Sequence, residues 1–373
     1  MKGKMIAKSL AYFLLIFIFV GSFAGCKKQK TDVSKEENIF DIKIASNLVD
    51  VYMKALMKED IEGAKKMYSK ELQKSEKETS SNELKIKGYS IEETSEIGKT
   101  GLFKMKVART SLDKPAAVLD NMSLKIIKED QEYKIDDIRN ETEKEAFYEN
   151  GSIRIRSKNN LSTNLLVDSS SLPQYVFSKD DKANIYKQVV PRNKFSGINF
   201  GYQGEKAAII TYDKDSYIGI VKIDESLATQ GGGGDQGGGG GGDQGKGDQN
   251  KGGQGQMARE KPIGKEMVNL DLLKDAKVDF VTFSIGEKFA VVQYSKTNMG
   301  KCIRVYSSDS GELVPVKFEE KYPYGKVEIT FSSFDKEALN YEVTAKNPSD
   351  KSVQDVVGKY QLSLKKDYKV KKL

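Results

Sequence analysis

From Leu84 onward apolar residues recur at every second position, and that change of period decides most of what this chain can fold into. Leu84/Ile86, Tyr89/Ile91, Phe103/Met105/Val107, Met122/Leu124/Ile126 and Tyr133/Ile135 alternate with Lys, Glu, Ser and Asp. Such alternation makes strands buried on one face. Glu129-Asp130-Gln131-Glu132 supplies a polar hairpin turn between the last two. Upstream the period is that of a helix. Ile44, Leu48, Tyr52 and Leu56, flanked by Ala45, Val49 and Met53, form one apolar stripe within Ile39–Met57. Asp60 is a candidate N-cap for a second helix, with Glu62 favoured by the helix dipole and Ile61, Ala64, Tyr68 and Leu72 on one face. Two helices on one face of a curved antiparallel sheet are the economical packing for residues 39–148, an α+β domain.

Two stretches of this domain carry a resemblance. Tyr52–Ala64, a helix ending at Lys58-Glu59-Asp60 and restarting with a small residue, looks like the opening of the cone-shaped nuclear-transport-factor-two-like superfamily. Ile127–Ile138 is similar to the final hairpin of that family's extracytoplasmic lipoprotein members. The resemblance covers about residues 39–138 and implies a fold more than a function, since the superfamily spans enzymes, binding modules and assembly domains. Its enzymatic members usually place His, Asp or Tyr in the cone, and this chain contains no His.

Beyond Asn150 helical periodicity is scarce and a short motif recurs. Phe177–Lys182, Phe283–Lys288 and Phe331–Lys336 share Phe-Ser-x-x-acid-Lys, and Phe200–Lys206 is the same with one residue added. Apolar strands follow three of the four, at Ala208–Tyr212, Ala290–Tyr294 and Ala338–Tyr341, so the implied unit is strand, tight polar turn, strand. The motif resembles the turn of TolB-type and WD-repeat β-propeller blades, and Gly300–Val314 is similar to the third strand and closing turn of such a blade. Phe283 to Phe331 is 48 residues, and Phe200 to Phe283 is 83, or about 46 once the excursion near Ala228–Gly264 is set aside. Both are near a blade's length. Phe177 to Phe200, at 23, is too short. Residues 151–229 and 263–373 are therefore expected to form an all-β domain, propeller-like or a sandwich.

Residues 230–262 interrupt that domain. Gln230–Gln256 is built of Gly with Gly-Asp-Gln units ending at Gln236, Gln244 and Gln249, and no hydrophobic residue follows them as a calcium-binding roll requires. The reading is a disordered linker spanning roughly 25–30 Å.

The chain begins with Lys2, Lys4 and Lys8 and no acid, followed by the apolar run Leu10–Val20. Gly21-Ser22-Phe23-Ala24-Gly25-Cys26 comes next, so residues 1–25 read as a secretory signal with a cysteine at its cleavage point. Eleven strongly apolar residues fall short of the ~20 that span a bilayer. Phe23-Ala24-Gly25-Cys26 resembles the lipobox of bacterial lipoproteins, departing from it at Phe23, where Leu is usual. The resemblance implies acylation of Cys26, which would become the mature N-terminus and the lipid attachment site. It also implies a membrane-anchored body on the extracytoplasmic face, with the polar stretch 26–38 as tether.

Other residue types exclude much chemistry. The absence of His removes His-dependent triads, HExxH zinc sites and imidazole proton shuttles. The only cysteine besides Cys26 is Cys302, in an alternating stretch where a buried strand thiol is expected, so no internal disulfide is available. Net charge is +7, or +4 without the three leader lysines, too mild to imply nucleic acid. Five lysines between Lys365 and Lys372 read as a protected last strand, or as a contact for anionic wall polymers or lipid headgroups. No cofactor, metal or catalytic residue is indicated. The expectation is a non-catalytic binding or accessory lipoprotein of the cell envelope, whose partner is an envelope protein, peptide or wall polymer. The alternative is a carboxylate-dependent envelope hydrolase acting, for example, on glycans.

Overall fold

The chain folds mostly as antiparallel sheet. A computed structural model describes residues 40–75, 83–158, 160, 162–230, 260–297 and 299–373. The signal 1–25, Cys26, the tether and residues 231–259 lie outside the described residues.

Helix α1 (Ile42–Met57) starts where the Asp41 carboxylate accepts the backbone N–H groups of Lys43 and Ile44, and it buries Ala45, Val49, Tyr52 and Met53. The expected second helix is broken in two, α2 (Ile61–Lys65) and α3 (Lys70–Ser75). Between them the backbone exchanges hydrogen bonds with a strand: Ser69 N–H donates to Ile135 O, and Ile135 N–H to Met67 O, both at 2.8 Å. An interstrand partner for Met67–Ser69 competes with helix and wins. Asp60 does cap α2, accepting from Gly63 N–H at 2.9 Å.

Six strands follow in sequence order as one meander: β1 (Lys85–Ile97), β2 (Thr100–Thr110), β3 (Ala116–Glu129), β4 (Glu132–Glu149), β5 (Ser152–Ser157) and β6 (Asn164–Asp168). The turn expected at Glu129–Glu132 joins β3 to β4, with Asp130 and Gln131 both at positive φ. The sheet runs on through residues 149–150, where the sequence suggests a domain boundary. There Asn150 and Gly151, also both at positive φ, make the two-residue turn between β4 and β5.

The β region beyond holds a small hairpin, β7 (Tyr175–Phe177) with β8 (Lys187–Val189), then three consecutive meanders. The first is β9 (Phe195–Phe200), β10 (Lys206–Tyr212), β11 (Ser216–Ile223) and β12 (Gly264–Leu273), with helix α4 (Ser226–Gln230) before β12. The second is β13 (Ala276–Phe283), β14 (Phe289–Lys296) and β15 (Gly300–Ser307); helix α5 (Phe318–Lys321) leads to the third. That third sheet is β16 (Val327–Asp335), β17 (Ala338–Ala345), β18 (Gly358–Ser363) and β19 (Val370–Lys372).

The recurring Phe motif makes matching turns twice. After Phe200, Gly201 N–H reaches Lys206 O and Gly204 N–H reaches Gly201 O; after Phe283, Ser284 N–H reaches Phe289 O and Glu287 N–H reaches Ser284 O. The two turns lock together: Gln203 N–H donates to the Glu287 carboxylate at 2.6 Å and the Tyr202 hydroxyl to Phe283 O at 2.9 Å. The fourth copy departs from expectation. Phe331–Asp335 lie inside β16, and the turn is Lys336-Glu337.

Two cores hold these sheets. One runs through the meanders to Leu362 and takes in Ala108 of β2; the other joins Ala117, Leu119 and Ala146 of the six-stranded sheet to Ile198, Phe200 and Ile209 of the first meander. Residues 41–373 pack as a single unit. Just before the glycine-rich stretch Leu227 and Ala228 pack on the second core, and Glu260, within the expected linker 230–262, binds Arg154 and the Leu165 N–H.

A buried guanidinium fastens the hairpin to the meanders. Arg304 on β15 is 6% exposed. Its Nε donates to Glu319 at 2.8 Å, one terminal nitrogen to Asp271 at 2.9 Å, and the other to both oxygens of Asp180 at 2.9 and 3.1 Å. Asp271 on β12 also accepts from the Tyr306 hydroxyl at 2.8 Å and the Lys179 N–H at 2.8 Å. Removing one partner of such a group strands the others. Arg304→Met should lower stability by about 3–5 kcal/mol. In urea denaturation the double variant Arg304→Met/Asp271→Asn should recover part of that loss, and strict additivity would refute the coupling.

Candidate functional site

Three of the β-bulges in this fold place their extra residues along one cleft. In β1 the pairing jumps from Ile86 to Gly88, leaving Lys87 unpaired; in β13 it jumps from Val278 to Phe280, leaving Asp279; in β16 from Phe331 to Ser333, leaving Ser332. A bulge bends its strand and re-aims the extra side chain. Gly88 lets β1 come this close: a Cβ there would overlap the Tyr202 hydroxyl and lie 2.8 Å from Thr282 Oγ1. The cleft has a volume of about 530 Å³ and is closed on one side by Met57–Glu59 at the end of α1.

Its floor is aromatic and rigid. Phe280 meets Phe331 edge-on at 6.2 Å, and Phe331 meets Phe334 at 5.2 Å. Beneath them Gln293, 3% exposed, donates to Cys302 O at 3.0 Å and Ile329 O at 3.1 Å and accepts the Phe331 N–H at 2.8 Å. One amide thus stitches the second meander to the third.

The charges over this floor are perturbed in opposite senses. Burial pushes the Lys87 ammonium below its ordinary value, with Glu59 partly offsetting and Lys85 and Lys301 adding to the shift. Its nitrogen sits 4.9 Å above the centre of the Phe280 ring. Burial pushes the Asp279 carboxyl up, against the Ser295 hydroxyl at 3.2 Å and the charges of Lys301 and Lys277. Four lysines (58, 87, 277, 301) and three carboxylates (Glu59, Asp279, Glu342) line the cleft, so it is cationic whenever Asp279 is protonated and weakly so otherwise.

A second cavity, about 690 Å³, opens between β12 and the β7–β8 loop. Its one deeply buried acid, Asp271, is already held by Arg304 and Tyr306. Among the described residues no group of three or more Cys, Asp or Glu gathers to hold a metal.

Cys26, the one site residue expected from sequence, lies outside the described residues. Cys302 is fully buried on β15, its thiol pushed up to about 12 by burial. The terminal lysines are spread over a protected edge: Lys365 pairs with Glu337 at 2.8 Å, and Lys372 lies over the Tyr360 ring and donates to Asp355 O at 2.7 Å. None of the cleft residues stood out in sequence as a site. Their signal was a slipped alternation, a spacing of three positions instead of two from Ile86 to Tyr89, Val278 to Val281, and Phe331 to Phe334.

No known family and no curated protein matches this chain. Among solved structures it is similar to a puromycin hydrolase, at 5% identity over 76% of this chain and 46% of that one, with a TM-score of 0.29. It is also similar to an acylaminoacyl peptidase of Pyrococcus horikoshii, at 10% identity over 77% and 40% of the two chains, TM-score 0.28. A third similar structure is the β-propeller domain of the Trilobed protease from Pyrococcus furiosus, at 10% identity over 77% and 96%, TM-score 0.19. The chain spans less than half the length of the first two.

The Asp279 shift has a sign that can be measured. A carboxyl whose folded value lies above its unfolded value loses stabilisation as pH rises through that interval. Asp279→Asn should therefore gain stability relative to the parent as pH rises from about 3 to about 7, the ionised carboxylate being the form that burial disfavours. Thermal unfolding across that range that gave a constant difference would contradict the shift.

Proposed function

We propose that this chain is a non-catalytic binding module of a bacterial cell envelope, held on the extracytoplasmic face of the membrane by lipid on Cys26. The cleft between the three bulges is where it takes its ligand. One observation carries the binding half: Lys87, Asp279 and Ser332 are all turned into a single aromatic-floored recess. Clefts with apolar floors and a few convergent polar groups are the usual form of ligand sites. A partly desolvated ammonium in a cleft with three exposed lysines favours an anionic group on the ligand, and the Phe280–Phe331 edge favours an apolar body attached to it. A carboxylate-bearing envelope peptide fits both. In this reading the helices with the first strands form the cone-shaped domain, and the three meanders with their matched turns are propeller-type blades.

A second reading keeps one specific observation: Asp279, held toward its protonated form, shares the cleft with Glu342. An acid and an ionised carboxylate are what a glycan hydrolase requires. The two readings part on turnover.

Titration calorimetry of the full chain with soluble muropeptides should give binding without product release, and Lys87→Met should weaken it about tenfold through loss of one charge-assisted hydrogen bond. Unchanged affinity would remove the cleft from the reading, and glycan cleavage abolished by Asp279→Asn would establish the hydrolase. Radioactive palmitate should label the parent and not Cys26→Ala; an unlabelled parent recovered from the cytosol would remove the anchor.

A further inference from the structure

The β7–β8 hairpin is apolar on both faces. Val176 and Val190 point inward and are buried, as a surface hairpin requires. The outward face should then be polar. Instead Tyr175 and Val189, directly paired across the two strands, are 55% and 70% exposed, and Ile185 and Tyr186 in the connecting loop are 67% and 68% exposed. Four of the twelve large hydrophobics exposed among the described residues thus fall on fifteen consecutive positions. Apolar side chains gathered in this way mark a contact surface.

The charges around the patch select the contact. Lys182 and Lys187, on the hairpin itself, are exposed. The loop's two acids are engaged within the protein, Asp180 by the Arg304 guanidinium and Asp181 by the Tyr186 N–H at 2.7 Å. Asn184 and the half-exposed Asp180 also reach solvent, but the large outward side chains are tyrosine, aliphatic and lysine. Tyrosine is enriched at the water–lipid boundary, where its ring meets the acyl region and its hydroxyl the headgroups. Lysine adds attraction to anionic lipid. The buried Arg304 network supplies the stiffness that lets the hairpin project as a unit.

We propose that this hairpin seats on the anionic lipid surface of a bilayer, with Tyr175, Ile185, Tyr186 and Val189 entering the headgroup region and the lysines meeting lipid phosphates. The contact is independent of lipid on Cys26 and of the bulge-lined cleft, and each can fail alone.

The chain has no tryptophan, so Tyr186→Trp places a single indole at the loop. The full chain carrying it is reconstituted into vesicles of phosphatidylcholine alone, or with phosphatidylglycerol, containing brominated acyl chains. The indole should shift to the blue and be quenched in the anionic vesicles, less so in the zwitterionic ones and at high salt. Ile97→Trp, exposed at the far end of the β1–β2 hairpin from Thr110, should stay unquenched. Lys182→Gln and Lys187→Gln should each lower the seated-to-free ratio about fivefold. An indole unshifted and unquenched in both vesicles that nevertheless carry the protein overturns the proposal while leaving the lipid anchor standing. A blue shift induced by an envelope protein in the absence of vesicles, with none on vesicles, overturns it in favour of a protein contact.

Discussion

The join between the β7–β8 hairpin, β12, β15 and α5 depends on one cation kept out of water. Arg304 gives its donors to three carboxylates from three parts of the chain, the β7 turn, β12 and α5. Charge alone does not balance, since three acids surround one guanidinium. The balance is made by hydrogen bonds: Asp271 takes the Tyr306 hydroxyl and the N–H groups of Lys179 and Leu272, and Glu319 takes the Tyr294 hydroxyl at 2.5 Å. Burial raises the Glu319 carboxyl, yet the neighbouring Arg304 charge holds it below its ordinary range. A network so arranged adds little to net stability over an apolar core of equal volume. What it adds is selectivity of arrangement: a three-residue β-ribbon has too little surface to fix its own position, and Arg304 accepts only one.

The bulges obey the opposite logic. Lys87 and Asp279 are each held in surroundings that disfavour their charged forms, and the opposite charges near them, Glu59 for the one and Lys301 and Lys277 for the other, offset that only in part. Sheets tolerate such residues where shape matters more than ladder continuity. Gln293 makes the tolerance local, because with its donors and acceptor filled the strands below the bulges stay in register. The fold thus carries a saturated polar network where it needs fixed geometry, and an unsaturated one where the surface opens.

The strands were legible because a single-faced sheet writes its burial into alternate residues, and nearly every alternating stretch named from sequence lies on a strand. Asp60 as a cap and Asp130-Gln131 as a turn were legible for equally local reasons. Less was visible where a distant partner decided. The Tyr68 stripe had helical spacing, but its backbone pairs with Ile135, 67 residues away. Asn150-Gly151 reads as a tight turn by its residues, yet the loss of helical periodicity beyond it suggested a boundary. Nothing local says that Ala117 and Phe200 will share a core. The cleft was hidden for a subtler reason. A bulge appears in sequence only as a slip of phase, and Leu84/Ile86 followed by Tyr89/Ile91 looks the same whether it is two short strands or one strand bent at Lys87.

The glycine-rich stretch poses the remaining question of how a sheet survives so long an interruption. β11 and β12 are neighbours in one meander, paired from Ser216–Leu273 to Ile223–Gly264, with forty residues between the last pair. Closure entropy rises only with the logarithm of loop length, so even a fully flexible loop of forty residues costs about 2 kcal/mol more than one of four. That is within reach of the contacts at its two ends. On one side Leu227 and Ala228 pack on the core; on the other the Glu260 carboxylate takes a two-pronged bond from Arg154 at 3.0 Å, and Ile263 hydrogen-bonds Leu165 O at 2.8 Å. These ends clamp the loop to the six-stranded sheet as well as to the meander. The insertion therefore enters and leaves at a seam between the two sheets, where its anchors tie together the bodies it would otherwise separate.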